Sequence, residues 1–200
     1  MSLLRKSIFL SVIFSQGVFF AFYPLFSNLF SYLHPIVLGV VWVCLTLLVF
    51  FTVFWIRKDV ISIPYSLFVG FLALYTISLL VLLFVRPTDQ SYTNWNLEPF
   101  STILFYLSGK VAPLVAFYNL AANIGLFIPY GIFLMIRKER ASLPAKKLFY
   151  GALFGISIIE LTQFLTRRGS LDIDDLLLNL VGVYLGYILF PVFKRVVHVT

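Results

Sequence analysis

The sequence predicts an all-α fold, a polytopic transmembrane helical bundle with about six spans, five being the alternative count. Of its 200 residues, 61% are hydrophobic and only 12% are charged, whereas soluble domains are about 45–50% apolar and about 25% charged. In addition, six stretches contain close to the ~20 mostly apolar residues that a spanning helix needs. Together these observations exclude a soluble globular enzyme, a disulfide scaffold and a disordered chain.

Short polar or charged breaks separate the six apolar stretches. The stretches are residues 7–30, 35–56, 65–85, 112–136, 148–166 and 176–193. The first follows Arg5 and Lys6, as in a signal peptide, but its length and the lack of an A-x-A-like cleavage site favour a retained span. The count falls to five if one of the first two stretches is re-entrant.

The lysines and arginines predict which side of the membrane each loop faces. With six spans and a cytoplasmic N-terminus, all but four of the 15 cations are cytoplasmic, the exceptions being Arg86, Lys110, Arg167 and Arg168. Cytoplasmic loops carry an excess of such residues, so both termini are predicted to be cytoplasmic. We interpret the net charge of +7 as this orientation signal and predict the lipid bilayer, not nucleic acid, as partner.

Polar residues collect near the predicted outer ends of the last three stretches. In the fourth stretch, Asn119 and Asn123 are four residues apart and share a helix face. In the fifth, Glu160, Gln163 and Arg167 have the spacing of a second polar stripe. Ionisable side chains inside a membrane are costly and normally face other helices or a water-filled cavity, so we expect both stripes to face protein.

The sixth stretch carries a stripe that begins acidic and ends with glycines. Its members recur every three or four residues and are Asp172, Asp175, Asn179, Gly182 and Gly186. Combined with the other stripes, it predicts a polar pocket at the outer face. The candidate pocket residues are Asn119, Asn123, Glu160, Gln163, Arg167, Arg168, Asp172, Asp175 and Asn179.

Glycines and one proline are predicted to shape the bundle. Gly151 and Gly155 in the fifth stretch repeat the four-residue spacing of Gly182 and Gly186, which allows helices to approach closely. The fifth and sixth stretches are therefore predicted to pack as an antiparallel hairpin. Pro129 is predicted to kink the fourth helix.

Structural explanations stay open for several of these residues. Either Ser170 or Asp172 could cap the last helix, with Asp174 and Asp175 favoured in its first turn by the helix dipole. Arg167 and Arg168 could be interfacial anchors or ion-pair partners of Glu160. The two asparagines of the fourth stretch could simply form interhelical hydrogen bonds.

The remaining chemically active residues are interpreted without a functional role. Cys44 lies in an apolar stretch and is interpreted as a buried, inert thiol. Asp59 and Glu139 lie beside basic residues and are expected to be solvated. Because the chain has a single cysteine and its histidines, His34 and His198, stand alone, no metal site and no cofactor are predicted.

Four ordered motifs resemble the VanZ-like family. They are Asn96-Leu97-Glu98-Pro99-Phe100, Asn119-x3-Asn123 leading to Leu126-Phe127-Ile128-Pro129-Tyr130-Gly131, Glu160-Leu161-Thr162-Gln163, and Asp172-Ile173-x-Asp175-x3-Asn179-x2-Gly182-x3-Gly186. They cover about half of the chain. One departure is Gly169, where the family usually has an arginine.

The resemblance implies a small polytopic protein associated with teicoplanin resistance in Gram-positive bacteria. In this sequence, the acidic and amide positions of the family motifs correspond to Asn123, Glu160, Gln163, Asp172, Asp175 and Asn179. It also divides the chain into N-terminal transmembrane helices outside the resemblance (1–90), a VanZ-like transmembrane domain (91–193) and a short basic cytoplasmic tail (194–200).

The leading functional hypothesis is a multi-pass cell-membrane protein of the bacterial envelope. Its outer polar pocket would engage a lipid-linked wall component or a glycopeptide, with the arginines binding phosphate or carboxylate. One alternative is a membrane-embedded hydrolase or transferase that uses carboxylates as metal ligands or as general acid and base. A second alternative is a small transporter. Whether the protein is an enzyme stays open at this stage.

Overall fold

The computed structural model describes residues 3–29, 36–84 and 94–200. The elements of these parts are α1 (Leu3–Leu29), α2 (Ile36–Arg57), β1 (Ile61–Ile63), α3 (Tyr65–Phe84), β2 (Trp95–Asn96), α4 (Ser101–Leu107), α5 (Pro113–Ala141), α6 (Ala145–Leu165), β3 (Leu171–Asp172), α7 (Ile173–Phe193) and β4 (Val197–Val199). The predicted all-α helical bundle is confirmed. The interpretations of His34 and Arg86 fall outside the described residues.

Four of the described helices are long and apolar enough to cross a membrane. They are Arg5–Ser27, Pro113–Ala141, Ala145–Leu165 and Ile173–Phe193, whereas Trp42–Arg57 and Tyr65–Val81 are shorter apolar segments. With 21 residues, α7 is about 31 Å long at ~1.5 Å per residue, which matches a hydrocarbon core of about 30 Å. Each predicted stretch thus corresponds to a helix, and the number of membrane crossings stays a prediction.

The chain forms two compact units. The first consists of Met1–Ile63, Val192–His198 and Thr200, and the second of Pro64–Pro191 and Val199. Every residue predicted for the polar pocket belongs to the second unit.

In the first unit, a face of serines packs α1 against α2. Ser7, Ser11 and Ser15 lie at four-residue intervals and are fully buried. Phe19 continues this face and meets Trp42 of α2 edge-on, with ring centroids 6.5 Å apart. Small side chains allow membrane helices to approach closely, so the serines serve the same purpose here as glycines do elsewhere.

Asp59 belongs to a small polar cluster of the first unit. Its carboxylate accepts a hydrogen bond from the Ser7 hydroxyl and lies 3.5 Å from Nε of Arg57. The same Nε donates to Ser7 Oγ at 2.5 Å. The interpretation of Asp59 as solvated is therefore wrong, because α1 supplies a hydroxyl partner that the local sequence does not reveal.

Cys44 differs from its interpretation as well. The thiol is exposed, and so are its neighbours Trp42 and Val43. A helix that is apolar all round gives no indication of which face is covered. The predicted burial of Cys44 is therefore wrong.

The end of the chain forms a strand rather than an extended tail. Strand β4 pairs with β1. The backbone N–H of Ile61 donates to the carbonyl of Val196 at 2.8 Å, and that of Thr200 donates to the carbonyl of Ile63 at 3.0 Å. Its predicted cytoplasmic location stays a prediction.

The second unit has an apolar core shared by α3, α5, α6 and α7. Its central residues are Leu79, Phe127, Ile156 and Val183. Two hydrogen bonds join α3 to α5: the Tyr75 hydroxyl donates to the carbonyl of Leu126 at 2.8 Å, and the Tyr130 hydroxyl donates to Thr76 Oγ1 at 3.1 Å. Polar side chains on α3 thus contribute to the packing of an otherwise apolar helix pair.

Helices α5 and α7 cross at a contact that only glycines permit. A Cβ added to Gly182 would collide with the carbonyl oxygen of Ile124 and lie 3.1 Å from Cβ of Phe127. A Cβ added to Gly186 would lie 2.7 Å from Cα of Gly131. Both glycines of α7 therefore pack against α5, not against α6 as their spacing predicted.

Gly151 and Gly155 of α6 have no close neighbour. A Cβ added to either glycine would meet no atom within 4 Å, and both line an apolar cavity of about 220 Å³. The predicted packing of these glycines against α7 is therefore wrong. The spacing identifies a face of small residues but not the helix that covers it.

Pro129 lies inside α5, which continues to Ala141. Proline has no N–H, so the carbonyl of Gly125 lacks its usual partner within the helix. The kink at this position stays a prediction.

Candidate functional site

The polar side chains of the second unit gather at one end of its helices. This polar end consists of the first turns of α5 and α7, the last turns of α6, and segment 94–107. Nine residues there form hydrogen bonds between elements or at helix caps: Asn96, Thr102, Asn123, Glu160, Gln163, Asp172, Asp174, Asp175 and Asn179. Most of the predicted pocket residues are therefore brought together.

Asp174 attaches α4 to the start of α7. Its side chain has no exposed surface, and its carboxylate accepts backbone hydrogen bonds from Phe100 at 2.6 Å, Thr102 at 2.8 Å and Ile103 at 3.1 Å. A negative charge stabilises the N-terminus of a helix. Asp174 thus caps α4, a role that is additional to its predicted place in the first turn of its own helix.

Asp172 caps α7 and connects it to the same segment. Its Oδ1 accepts the backbone N–H of Asp174 at 2.9 Å, the geometry of an N-cap. Its Oδ2 accepts the Thr102 hydroxyl at 2.6 Å. In the short parallel ladder of β2 and β3, Asp172 is the partner of Asn96. Asp172 therefore has the capping role that the sequence left open.

Asp175 connects α7 to α5 and is less deeply buried than its acidic neighbours. Nδ2 of Asn123 donates to Asp175 Oδ1 at 2.5 Å. Tyr106 of α4 lies near these acids. Its pKa is raised above the ordinary value of 10.0, mainly because the hydroxyl is partly buried and also because of the negative charges of Asp175 and Asp172. The Tyr106 hydroxyl therefore remains protonated, and able to donate, at neutral pH.

Glu160 and Asn179 connect α6 to α7 in the interior. Their exposed fractions are only 5% and 4%, and Asn179 Nδ2 donates to Glu160 Oε1 at 3.0 Å. The other amide atom, Asn179 Oδ1, is buried and accepts no hydrogen bond from the described residues. A buried polar group without a partner costs roughly 1–3 kcal/mol, so this pair carries an energetic cost that packing alone does not explain.

Gln163 helps to end α6. Its Nε2 donates to the carbonyl of Leu83 at 3.4 Å, and its own carbonyl accepts the N–H of Arg168 at 2.8 Å. The N–H of Arg167 donates to the carbonyl of Phe164 at 3.0 Å. The last two bonds form a Schellman motif, which commonly terminates helices.

Arg167 and Arg168 are exposed, outside the buried cluster. Because α6 ends at Leu165, Arg167 does not continue the helical stripe of Glu160, and that part of the prediction is wrong. Arg167 instead adopts a left-handed conformation with φ of 58°. The position of Arg167 is thus determined by the helix end rather than by an acidic partner on the same helix.

Replacement of Arg167 by glycine is expected to stabilise the protein by about 1 kcal/mol, because glycine avoids the cost of the left-handed conformation. Thermal unfolding of the purified protein in detergent measures the change. The control is Arg168→Gly, which lacks a positive φ in the native state and is expected to give no gain. Equal effects at both positions would contradict the assignment.

Gly169, where the resemblance to the VanZ-like family implies an arginine, lies against Gln163. A Cβ at Gly169 would lie 3.2 Å from Cβ and 3.3 Å from Nε2 of Gln163. A longer side chain at this position requires Gln163 to move. The basic side chains of this turn are accordingly those of Arg167 and Arg168.

Asn119 does not join the cluster through any hydrogen bond of the described residues. Its Nδ2 donates to the carbonyl of Val115, in its own helix, at 2.8 Å. The two asparagines therefore have different partners: Asn123 binds Asp175 of α7, whereas Asn119 binds a carbonyl of its own helix.

Four residues of the polar end were not among the predicted pocket residues. They are Asn96, Thr102, Tyr106 and Asp174; Nδ2 of Asn96 donates to Thr102 Oγ1 at 2.9 Å. A signal was present, since Pro99 followed by Ser101 and Thr102 is typical of a helix start. That signal predicts a short helix but not that α7 caps it.

Apolar grooves flank the polar end. One, of about 410 Å³, includes Phe100, Ile103 and Tyr184 in its lining, and another, of about 470 Å³, includes Tyr106 and Ala116. Within the part of the chain that the structure describes, no group of three or more His, Cys, Asp or Glu side chains is placed to hold a metal ion. The polar side chains mainly bind one another, and apolar surfaces lie beside them.

Comparison with known proteins agrees with the motifs. A family model described as VanZ/LLP1 matches residues 68–194, a range that includes most of α3 as well as α4 to α7. Protein VanZ from Enterococcus faecium is 31% identical over 124 residues, which represent 60% of this chain and 71% of that protein. No solved structure gives a significant match. The chain is a membrane protein and belongs to the VanZ/LLP1 family.

Proposed function

We propose that this protein acts in the bacterial cell membrane as a multi-pass protein of glycopeptide resistance of the teicoplanin type. In this proposal, the polar end faces outward and engages a lipid-linked wall component or the glycopeptide itself. The observation that carries the proposal is the pairing of Glu160 with Asn179 and of Asp175 with Asn123. Ionisable groups on helices of membrane-spanning length are costly and normally serve a function.

The surroundings of the pairs support a lipid-linked ligand. Arg167 and Arg168 are exposed on the turn that follows α6, and a guanidinium group binds phosphate through two parallel hydrogen bonds. The groove whose lining includes Phe100, Ile103 and Tyr184 is apolar, which suits a hydrocarbon chain. A phosphate next to a long apolar chain is the common chemistry of lipid-linked wall precursors.

Alanine at Glu160 or Asp175 is expected to abolish any teicoplanin resistance that the wild-type protein confers on a sensitive Gram-positive host. The physical reason is the loss of a hydrogen-bonded carboxylate at the polar end. The minimal inhibitory concentration is measured beside immunoblots of the membrane fraction, so that lost activity is separated from lost insertion.

The matched control is Glu139→Ala, which removes an exposed carboxylate at the other end of α5. This variant is expected to retain the wild-type phenotype. Full resistance in both the Glu160 and Asp175 variants would reject the proposed site. A binding assay of the purified protein with lipid-linked wall precursors and with teicoplanin then distinguishes the two ligands.

A further inference from the structure

A cavity of the first unit combines basic residues with exposed apolar side chains. Its volume is about 570 Å³, and its lining includes Trp55, Ile56, Lys58 and Arg195. Trp55 and Ile56 are 45% and 69% exposed, and the two basic residues are exposed as well. The volume falls within the range of about 300–1,000 Å³ that is typical of small-molecule sites. The cavity therefore offers positive charge and apolar surface to the same ligand.

Backbone hydrogen bonds place the two basic residues at this cavity. Lys58 directly follows α2, has a left-handed backbone with φ of 56°, and donates its N–H to the carbonyl of Trp55 at 3.3 Å. Arg195 lies in the turn after α7. The next residue, Val196, is buried, and its carbonyl accepts the N–H of Ile61 at 2.8 Å. Two cations that are distant in the sequence are thus brought together by helix ends and strand pairing.

The positive charge of the cavity is not neutralised by a carboxylate of the described residues. Within those parts of the chain, neither Lys58 nor Arg195 forms an ion pair. The carboxylate of Asp59, which follows Lys58, accepts a hydrogen bond from the Ser7 hydroxyl and lies 3.5 Å from Nε of Arg57. Its charge is therefore directed to Arg57 and α1, and an anionic ligand of the cavity would meet two available cations.

We propose that this cavity binds one anionic phospholipid. Its phosphate is held by Lys58 and Arg195, since a guanidinium group binds two phosphate oxygens at once, and an acyl chain lies along Trp55 and Ile56. The inference does not rest on the proposed function, because the cavity belongs to the first unit and the polar end to the second.

The surroundings favour a lipid over a soluble phosphate. Tryptophan is enriched at the headgroup level of membranes, and Trp55 lies in the last turn of the apolar helix α2. Both basic residues are on the predicted cytoplasmic side, where basic pockets beside membrane helices bind anionic headgroups. The exposed side chain of Ile56 has no use for a soluble anion but can pack against an acyl chain.

Fluorescence quenching of Trp55 tests the proposal. The purified full-length protein in detergent is titrated with phosphatidylglycerol that carries bromine on its acyl chains. The signal of Trp55 is obtained by subtracting the fluorescence of a Trp55→Phe variant, which is prepared for each protein tested. We expect saturable quenching with a lower Kd than that of brominated phosphatidylcholine, which has no net charge. Equal Kd values for the two lipids, or no saturable quenching of Trp55, would overturn the proposal.

Charge variants show whether the cavity itself recognises the lipid. Lys58→Gln with Arg195→Gln is expected to raise the Kd for phosphatidylglycerol about 25-fold, since each cation near anionic lipid contributes a factor of about 5. Either single replacement is expected to raise it about 5-fold. Lys58→Arg with Arg195→Lys keeps both charges and is expected to bind like the wild-type protein. An unchanged Kd in all the glutamine variants would overturn the proposal.

The matched control is Lys146→Gln with Lys147→Gln, which removes the same charge from two exposed lysines at the start of α6. This variant is expected to retain the wild-type Kd. An equal rise in both double variants would show that general surface charge attracts the lipid and would overturn the proposed site. Displacement of the brominated lipid by an equal concentration of glycerol 3-phosphate would identify a soluble phosphate as the ligand and overturn the assignment to a lipid.

Discussion

Alanine at Gly182 or Gly186 is expected to destabilise the second unit by about 3 kcal/mol, the upper end of the range for overpacked cores. A Cβ at Gly182 collides with the carbonyl oxygen of Ile124, and one at Gly186 lies 2.7 Å from Cα of Gly131. These obstacles are backbone atoms of α5, so no side-chain rotation relieves them. The helices must separate, which also pulls Asn123 away from Asp175.

The matched controls are Gly151→Ala and Gly155→Ala on α6. Neither added methyl group meets an atom within 4 Å, and alanine is favoured over glycine inside helices by up to about 1 kcal/mol. We expect these variants to be as stable as the wild-type protein or more so. Thermal unfolding in detergent measures all four variants. A similar loss on α6 and α7 would show that the α5–α7 contact is not the cause.

Alanine at Asp174 is expected to release α4, with a loss on the order of 3 kcal/mol. The carboxylate accepts three backbone hydrogen bonds, from Phe100, Thr102 and Ile103, and a net contribution of about 1 kcal/mol for each bond gives this figure. Asp174→Asn keeps one acceptor oxygen but removes the charge that favours the helix N-terminus. Its effect is expected to fall between those of wild type and alanine.

Hydrogen exchange followed by mass spectrometry measures this release. Peptides that contain the Phe100, Thr102 and Ile103 amides are expected to exchange faster in Asp174→Ala, while peptides from the core of α5 are unchanged. Glu98→Gln is the control, because Glu98 lies in the same segment with an exposed side chain; surface changes of this kind stay within about 0.5 kcal/mol. Unaltered exchange in the Asp174 variant would show that α4 is held by other contacts.

The sequence predicts the helices of this protein well and its short elements poorly. A bilayer demands long apolar runs, and such runs are visible without knowledge of neighbours. The predicted stretch 148–166, for example, compares with Ala145–Leu165 in the structure. By contrast, α4 has only seven residues and depends on a carboxylate that is distant in the sequence. Local composition does not contain that information.

The same distinction applies to the polar end. Periodicity placed Glu160, Asp175 and Asn179 on inward faces, because each face belongs to a single helix. It did not identify their partners, and it joined Gly151 to the wrong neighbour. Arg167 was misplaced because a helix end in a left-handed residue is set by hydrogen bonds to preceding carbonyls. Spacing describes a face, whereas pairing requires the tertiary fold.

The cap that Asp174 provides to α4 also bears on the order in which the protein is made. Thr102 and Asp174 are 72 residues apart, and α5 and α6 are synthesised between them. Chains are synthesised from the N-terminus at about 5–20 residues per second. The Asp174 carboxylate is therefore synthesised several seconds after the Thr102 N–H that donates to it. The hydrogen bonds that Asp172, Asp174 and Asp175 make at the polar end can therefore form only after the last helix has been synthesised.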